Sequence, residues 1–237
     1  MKQKIISIIC TISIILNVLL FFCLILTVKD YENKINSLEQ SKSETQKNKI
    51  DYKKENIVFL GDSITDWYPF EGLYEDNIPI VNSGKAGYRT FELLPELEEL
   101  VYQYNPTKVF ILIGTNDLNT HSGKKQLVKN IEKMIKRIKK HRPKCKIYVQ
   151  SIYPVNKTEN KKIDADKVNK RENKDIKEVN KKIKKLCKQY DITYINVHKH
   201  LLDEEGNLAL KYTKDGLHLN DLGYLKVTKV LTPYVEE

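Results

Sequence analysis

The chain is poor in cysteine, which leaves little material for disulfides or thiolate metal sites. Only four cysteines occur among its 237 residues. Cys10 and Cys23 fall in an apolar N-terminal run, while Cys145 and Cys187 have no metal-ligand spacing and no histidine nearby, which argues against a cysteine-based zinc site. A disulfide between Cys145 and Cys187 stays open, the alternative being two small buried residues of a strand and a helix. No cofactor or metal is expected. There is no internal repeat, and no low-complexity tract beyond a lysine bias. Lysine and arginine are not interleaved with aromatic residues and no nucleic-acid module is recognisable, so the net charge of +10 does not imply a nucleic-acid partner.

The distribution of that charge is informative. Residues 124–146 carry eleven Lys or Arg against one Glu, and residues 157–188 carry thirteen against six acids. Residues 56–123 hold three basic and ten acidic residues, and residues 189–237 five and eight. The positive excess therefore sits on two helix-like stretches separated by acidic segments. Solvated helix faces account for it, and an anionic wall or lipid head-group surface is the alternative partner.

From Ile5 to Val28 no charged residue occurs. About 24 residues at 1.5 Å each can span a bilayer core, so residues 1–28 are predicted to form an N-terminal transmembrane anchor. A cleaved signal peptide is the competing reading, but the run is long for one and ends in Leu-Thr-Val-Lys-Asp, without a small-residue cleavage site. Lys2 and Lys4 precede the run while Lys29, Lys34, Lys42 and Lys47 follow it, a count that by itself puts the C-terminal side in the cytoplasm. The opposite orientation, a very short tail kept inside and the large domain exported, is preferred here. Residues 29–55 lack glycine and proline and are polar, a helical-to-flexible stalk. Roughly 180 residues remain, enough for one domain at 56–237.

In that domain short β-branched or aromatic runs alternate with long amphipathic segments. Strands are predicted at 57–60, 78–81, 109–113, 147–152 and 192–197, with helices near 91–104, 122–141, 167–190 and 221–235. The alternation predicts a mostly parallel sheet of about five strands covered on both faces, and ligands of such sheets bind beyond the carboxyl ends of the strands. Three short stretches follow predicted strands directly: Gly61-Asp62-Ser63-Ile64-Thr65, Asn82-Ser83-Gly84-Lys85-Ala86-Gly87 and Gly114-Thr115-Asn116-Asp117. A fourth, Asp215-Gly216-Leu217-His218, precedes the last helix. Together they hold a nucleophile, groups to bind an oxyanion and an oriented base, the parts an acyl-transfer site needs at one sheet edge. Residues 154–171 follow the fourth strand on the same rim, as a substrate-facing lid or as a charged loop without a role.

These four blocks, in this order, resemble those of the SGNH (GDSL-type) hydrolases, a family of lipases and acyl esterases, over roughly residues 56–237. Ile64 stands where the family motif has leucine, a volume-conserving exchange. The resemblance implies a three-layer α/β/α sandwich of flavodoxin-like type. It implies Ser63 as nucleophile, His218 as general base and then acid, and Asp215 as the group that orients the imidazole. The oxyanion donors it implies are the N–H groups of Ser63 and Gly87 and the side-chain amide of Asn116. Gly84 is the rival to Gly87 and is assigned to a turn needing positive φ. Asp62, Thr65, Asn82 and Asp117 are expected to tie loops to neighbouring backbone. Trp67 and Tyr68 either line an acyl or sugar pocket or pack in the core. His121, His141, His198 and His200 lack a partner pattern and are assigned to surface or core.

The expected activity is hydrolysis of ester-linked acyl groups through an acyl-serine, by a membrane-anchored enzyme acting outside the cell. The substrate would be small O-acyl groups on carbohydrate, or lipid esters. Alternatives are an O-acyltransferase using the same acyl-enzyme and a non-catalytic surface binding module.

Overall fold

A computed structural model describes residues 56–75, 78–120 and 123–237, together with Phe21, Ile25, Leu26 and Lys29. The chain divides into two units, Met1–Asp51 and Tyr52–Glu237, and all five strands belong to the second. Apart from those four positions, the expected membrane anchor at 1–28 and stalk at 29–55 lie outside the described residues. Among the described residues, no helix is long and apolar enough to cross a membrane.

The strands are β1 (Asn56–Gly61), β2 (Ile80–Gly84), β3 (Pro106–Leu112), β4 (Lys146–Gln150) and β5 (Thr193–Ile195). They form one sheet in the order β2-β1-β3-β4-β5, and every pairing is parallel. The longer helices are α4 (Gly123–His141), α6 (Asn173–Gln189) and α7 (Asp221–Glu236). Short ones are α1 (Ser63–Asp66), α2 (Thr90–Leu93), α3 (Leu97–Leu100) and α5 (Ala165–Val168).

Alternation of side chains along the strands builds a core on each face. Phe59, Phe110 and Tyr148 are direct cross-strand neighbours on β1, β3 and β4. Their rings stack in a row, with centroids 4.6 and 4.5 Å apart. Tyr224, Val227, Leu231 and Val235 of α7 close over this row in one buried cluster. The intervening residues Val58, Leu60, Val109, Ile111, Ile147 and Val149 point to the opposite face and are also buried. The crossovers from β2 to β3, β3 to β4 and β4 to β5 all run in one direction along the sheet, so the right-handed rule puts their helices on that second face. Ile131, Met134, Ile135 and Ile138 of α4 and Ile176, Val179 and Ile183 of α6 supply its buried stripes. The lysines of the two basic stretches ride on the outer side of these helices, and Lys124 of α4 pairs with Asp175 and Glu178 of α6.

Several boundaries differ from the sequence reading for identifiable reasons. The second strand starts later and runs on through Asn82-Ser83-Gly84, because β1 continues to pair with it as far as Gly61↔Gly84. The helix expected near 91–104 is four short turns, with Pro95 at the start of a 3₁₀ turn where the α-helical ladder would need its missing N–H. The helix expected near 167–190 is two, separated at Asn169, whose φ is +51°. Cys145 and Cys187 are both free, so the disulfide alternative does not hold, and burial pushes both thiols up to about 12.

Gly84 is corrected as well. It is the last residue of β2 and is not among the positive-φ glycines. A Cβ there would lie 2.1 Å from Asp66 N and 2.4 Å from Asp66 Cα. Its role is the close approach of α1 to the sheet, which seats the turn carrying Ser63 directly on the strand end. Gly87 is the residue with φ +80°, and a Cβ there meets nothing within 4 Å. It shapes an open loop and fills no crowded one.

Candidate active site

The register of the sheet brings three of the four sequence blocks to one edge. Gly61 pairs with Gly84 on one side and Leu112 on the other. Ser63 therefore lies two residues beyond that line, Gly87 three and Asn116 four. Asp62 caps α1, its Oδ1 accepting from Ile64 N at 3.0 Å, so Ser63 is the first helical residue. At that position an N–H has no intrahelical acceptor and stays available to a ligand.

Ser63 Oγ is 3.1 Å from His218 Nε2, and both residues are 6% exposed, so the contact is shielded from bulk water. His218 Nδ1 is 2.6 Å from Asp215 Oδ2. A neutral ring protonated at Nδ1 donates to Asp215 and leaves the Nε2 lone pair facing the Ser63 hydroxyl. Asp215 is itself fixed, because its Oδ1 accepts from the N–H groups of Leu217 at 2.9 Å and His218 at 2.7 Å. Burial pushes the Asp215 carboxyl up, but the His218 ring and these two N–H donors outweigh it and hold the group at about 2. The carboxylate is thus ionised throughout the neutral range.

The segment 154–171 forms a strap, with Val155, Asn156, Val168 and Arg171 buried. Asp164 N donates to Asp215 O at 2.9 Å and Asn156 N to Gly216 O at 2.8 Å, which braces the loop carrying His218. A loop without a role, one of the two sequence readings, does not describe these bonds.

On the other side of the nucleophile, the Asn116 amide donates from Nδ2 to Tyr88 O at 2.9 Å, next to Gly87 in the chain. Its Oδ1 accepts from Arg171 Nη2 at 2.8 Å. Asp117 ties two loops together through a backbone N–H, as expected, although its partner is distant in sequence. It reaches across 27 residues to accept from Thr90 N at 2.9 Å and Thr90 Oγ1 at 2.5 Å, which ties the Gly87 loop to the end of β3. Asn82 behaves as expected, accepting from Gly84 N and donating to Asp66 O, each at 3.0 Å.

The two aromatic residues after the nucleophile have different roles. Tyr68 is buried and its hydroxyl is 2.8 Å from Thr228 Oγ1, so it packs under α7. Trp67 is 44% exposed, and its ring centroid is 4.4 Å from that of His218. Lys214 Nζ lies 4.2 Å from the Trp67 ring centroid, a cation held at the mouth beside the imidazole. Of the remaining histidines, His198 is buried with its N–H on Ser151 Oγ, His141 stacks on Tyr102, and His121 lies outside the described residues. Among the described residues no group of three His, Cys, Asp or Glu side chains could hold a metal ion.

Sequence reasoning missed Arg171 and Lys214. One signal for Arg171 was present: it is the single arginine among twelve lysines in residues 157–188, and arginine is the residue suited to a buried multi-donor contact.

Asp62, beside the nucleophile, titrates unusually. Burial pushes its carboxyl up to about 7, against the opposing Ile64 N–H and Arg171 guanidinium. A raised carboxyl pKa in the folded state contributes stability that is present below about pH 4 and lost as pH rises through 7. Asp62→Asn keeps an oxygen for Ile64 N–H and has no such dependence. Relative to the variant, wild type is expected to lose up to roughly 4 kcal/mol between pH 4 and 7. Denaturant unfolding of both chains across that range measures it, and parallel curves would refute the assignment.

The family model described as the GDSL-like lipase/acylhydrolase family matches residues 59–226. A solved chain from Streptococcus pneumonia, provisionally described as a platelet activating factor, is 32% identical with a TM-score of 0.73, covering 88% of this chain and 99% of that one. A GDSL-like lipase from Bacteroides thetaiotaomicron is 22% identical with a TM-score of 0.69, covering 83% and 96%, a likeness of fold. The N-acylneuraminate cytidylyltransferase of Escherichia coli is 29% identical over 198 residues, 82% of this chain but 42% of that protein. The chain thus spans about two fifths of the length of that relative.

Proposed function

The chain belongs to the GDSL-like lipase/acylhydrolase family and is a serine ester hydrolase, and from that premise we propose that it removes small O-acyl groups from carbohydrate through an acyl-Ser63 intermediate. The observation that carries this reading is the unbroken line of contacts from Ser63 Oγ through His218 to Asp215, at 3.1 and 2.6 Å. His218 Nε2 takes the hydroxyl proton as Ser63 Oγ bonds the ester carbonyl carbon. The resulting oxyanion is held by the N–H groups of Ser63 and Gly87 and by Asn116 Nδ2. The intermediate then collapses, the carbon–oxygen bond to the alcohol breaks, and His218 returns the proton to the departing oxygen. Water repeats the sequence on the acyl-serine and releases the acid.

Carbohydrate is favoured over lipid esters by the mouth of the site. An exposed indole with an ammonium against it suits a polar ring, and the outer residues of the strap, Lys157, Thr158, Glu159 and Lys161, are exposed and hydrophilic. The relative named for N-acylneuraminate, a sugar whose named acyl group is amide-linked, supports a sugar as the part that carries the ester. The apolar run from Ile5 to Val28 supports a location at the membrane, and a very short N-terminal tail kept inside would put the domain outside the cell. The lysine-bearing outer sides of α4 and α6 would then face an anionic wall or head-group layer.

A fluorophosphonate probe tests the reading. It is expected to label the full chain but not Ser63→Ala, and acetylated sugar is expected to be cleaved faster than long-chain esters. Labelling accompanied by acyl transfer to a sugar acceptor, without hydrolysis, would point to a transferase. Absence of labelling would point to a binding module.

A further inference from the structure

We infer that Arg171 is a positioning residue of the oxyanion hole: it fixes the Asn116 amide in the one orientation that presents an N–H to the reacting oxygen. This rests on the site described under Proposed function and names a part of it that lies outside the four motif blocks. The Arg171 side chain belongs to a residue 4% exposed, and four of its five N–H donors meet specific acceptors. Nε bonds Thr115 O at 2.9 Å and Thr115 Oγ1 at 3.1 Å. Nη1 bonds Lys167 O at 2.9 Å and Val168 O at 3.1 Å. Nη2 reaches Asn116 Oδ1 at 2.8 Å.

The consequence for Asn116 follows from donor chemistry. A guanidinium has donors only, so whichever amide atom faces it must be the oxygen. The amide cannot rotate by half a turn without setting NH₂ against a buried cation. Nδ2 is therefore directed to the opposite side. One of its hydrogens goes to Tyr88 O at 2.9 Å. The other is left for a substrate oxygen. The cation does more than lock the orientation. By drawing density toward Oδ1 it strengthens the N–H on the far end of the same conjugated group, and this matters most when the partner oxygen becomes negative.

Arg171 also grips Thr115 O, the carbonyl immediately before Asn116, so backbone and side chain of the oxyanion residue are held by one planar group. Lysine cannot reproduce this, being a point charge with three donors at a single atom. The strap that carries Arg171 is the one whose Asn156 and Asp164 brace the Asp215–His218 loop. It thus supports the proton relay and the oxyanion site from one side of the rim.

The test is a double-variant cycle on the full chain with an acetyl ester. Arg171→Lys is expected to lower kcat about 10- to 100-fold with KM little changed, since the contact matters when charge develops on the oxygen. Asn116→Ala is expected to lower kcat about 10²- to 10³-fold. The combined variant is expected to be no slower than Asn116→Ala alone, because Arg171 acts through that amide. Replacing a side chain this buried and bonded is expected to lower the thermal midpoint under either role, so the kinetics decide: a brace with only a structural role would give losses that multiply, which would overturn the inference. Arg171→Gln, which keeps a donor toward Asn116 Oδ1 without the charge, should retain more activity than Arg171→Met. Equal activity of the two would also overturn it. Ser63→Ala in the same assay separates the two levels. If it stays active the site reading itself fails, and if it is inactive while the Arg171 and Asn116 losses multiply, only the present inference fails.

Discussion

Ser63→Ala and His218→Ala are each expected to lower kcat by about 10⁶-fold, and the chain carrying both changes is expected to fall no further. A serine hydroxyl is a weak nucleophile until a base takes its proton, and a base with no hydroxyl to deprotonate does nothing. The 3.1 Å contact between Ser63 Oγ and His218 Nε2 makes the two side chains one unit, and removing either removes the unit. What remains would be the acceleration supplied by the oxyanion donors and by substrate binding. His218→Ala also takes away the ring against which Trp67 lies, 4.4 Å between centroids, so KM for a sugar ester should rise in that variant and not in Ser63→Ala. Steady-state kinetics on an acetyl ester measure all three chains. Losses that multiply in the double variant would show that the two residues act separately, and the relay would have to be abandoned.

How much of this was legible in the sequence depended on whether the signal was local. The run Ile57 to Leu60, followed by glycine, reads as a buried strand because period and termination lie within a few residues, and β1 occupies it. The amphipathic stripe of α4 was equally plain. The end of β2 was hidden because Asn82-Ser83-Gly84 is a polar sequence with little strand propensity, and only its pairing with β1 makes it extended. Gly84 was assigned to a positive-φ turn because sequence shows that a glycine is present, not whether conformation or space requires it. Asp66, the backbone that excludes a Cβ there, lies 18 residues away along the chain.

The candidate site shows the same division. The blocks holding Ser63, Gly87, Asn116 and the Asp215–His218 pair are short, ordered and recognisable. The contacts that orient them join residues far apart: Asn116 to Tyr88, Asp117 to Thr90, Arg171 to Asn116 and the strap to the Asp215 loop. None has a spacing that a sequence pattern can record. Arg171 was further obscured by its surroundings, since a cation in a lysine-rich stretch reads as solvated until burial shows otherwise.

Asp215→Asn is expected to lower kcat by about 10⁴-fold while leaving the fold intact. The asparagine can keep an oxygen toward the N–H groups of Leu217 and His218, which Asp215 Oδ1 now accepts at 2.9 and 2.7 Å, so the loop should hold its shape. Its NH₂ would then replace Oδ2 against His218 Nδ1. A donor at that position favours the ring tautomer with the proton on Nε2, which faces Ser63 and can no longer accept the hydroxyl proton. The imidazolium formed during reaction would also lose its neighbouring negative charge. Because the wild-type carboxyl is held at about 2, below its usual value, it contributes stability above about pH 4 that is lost as pH falls through 2. The variant should therefore unfold in acid with a shallower pH dependence, while at neutral pH the chief difference is in kcat. Kinetics at pH 7 together with acid unfolding of both chains provide the check. A kcat within about tenfold of wild type would mean that Asp215 shapes the loop without setting the tautomer, since an effect on the tautomer should cost far more.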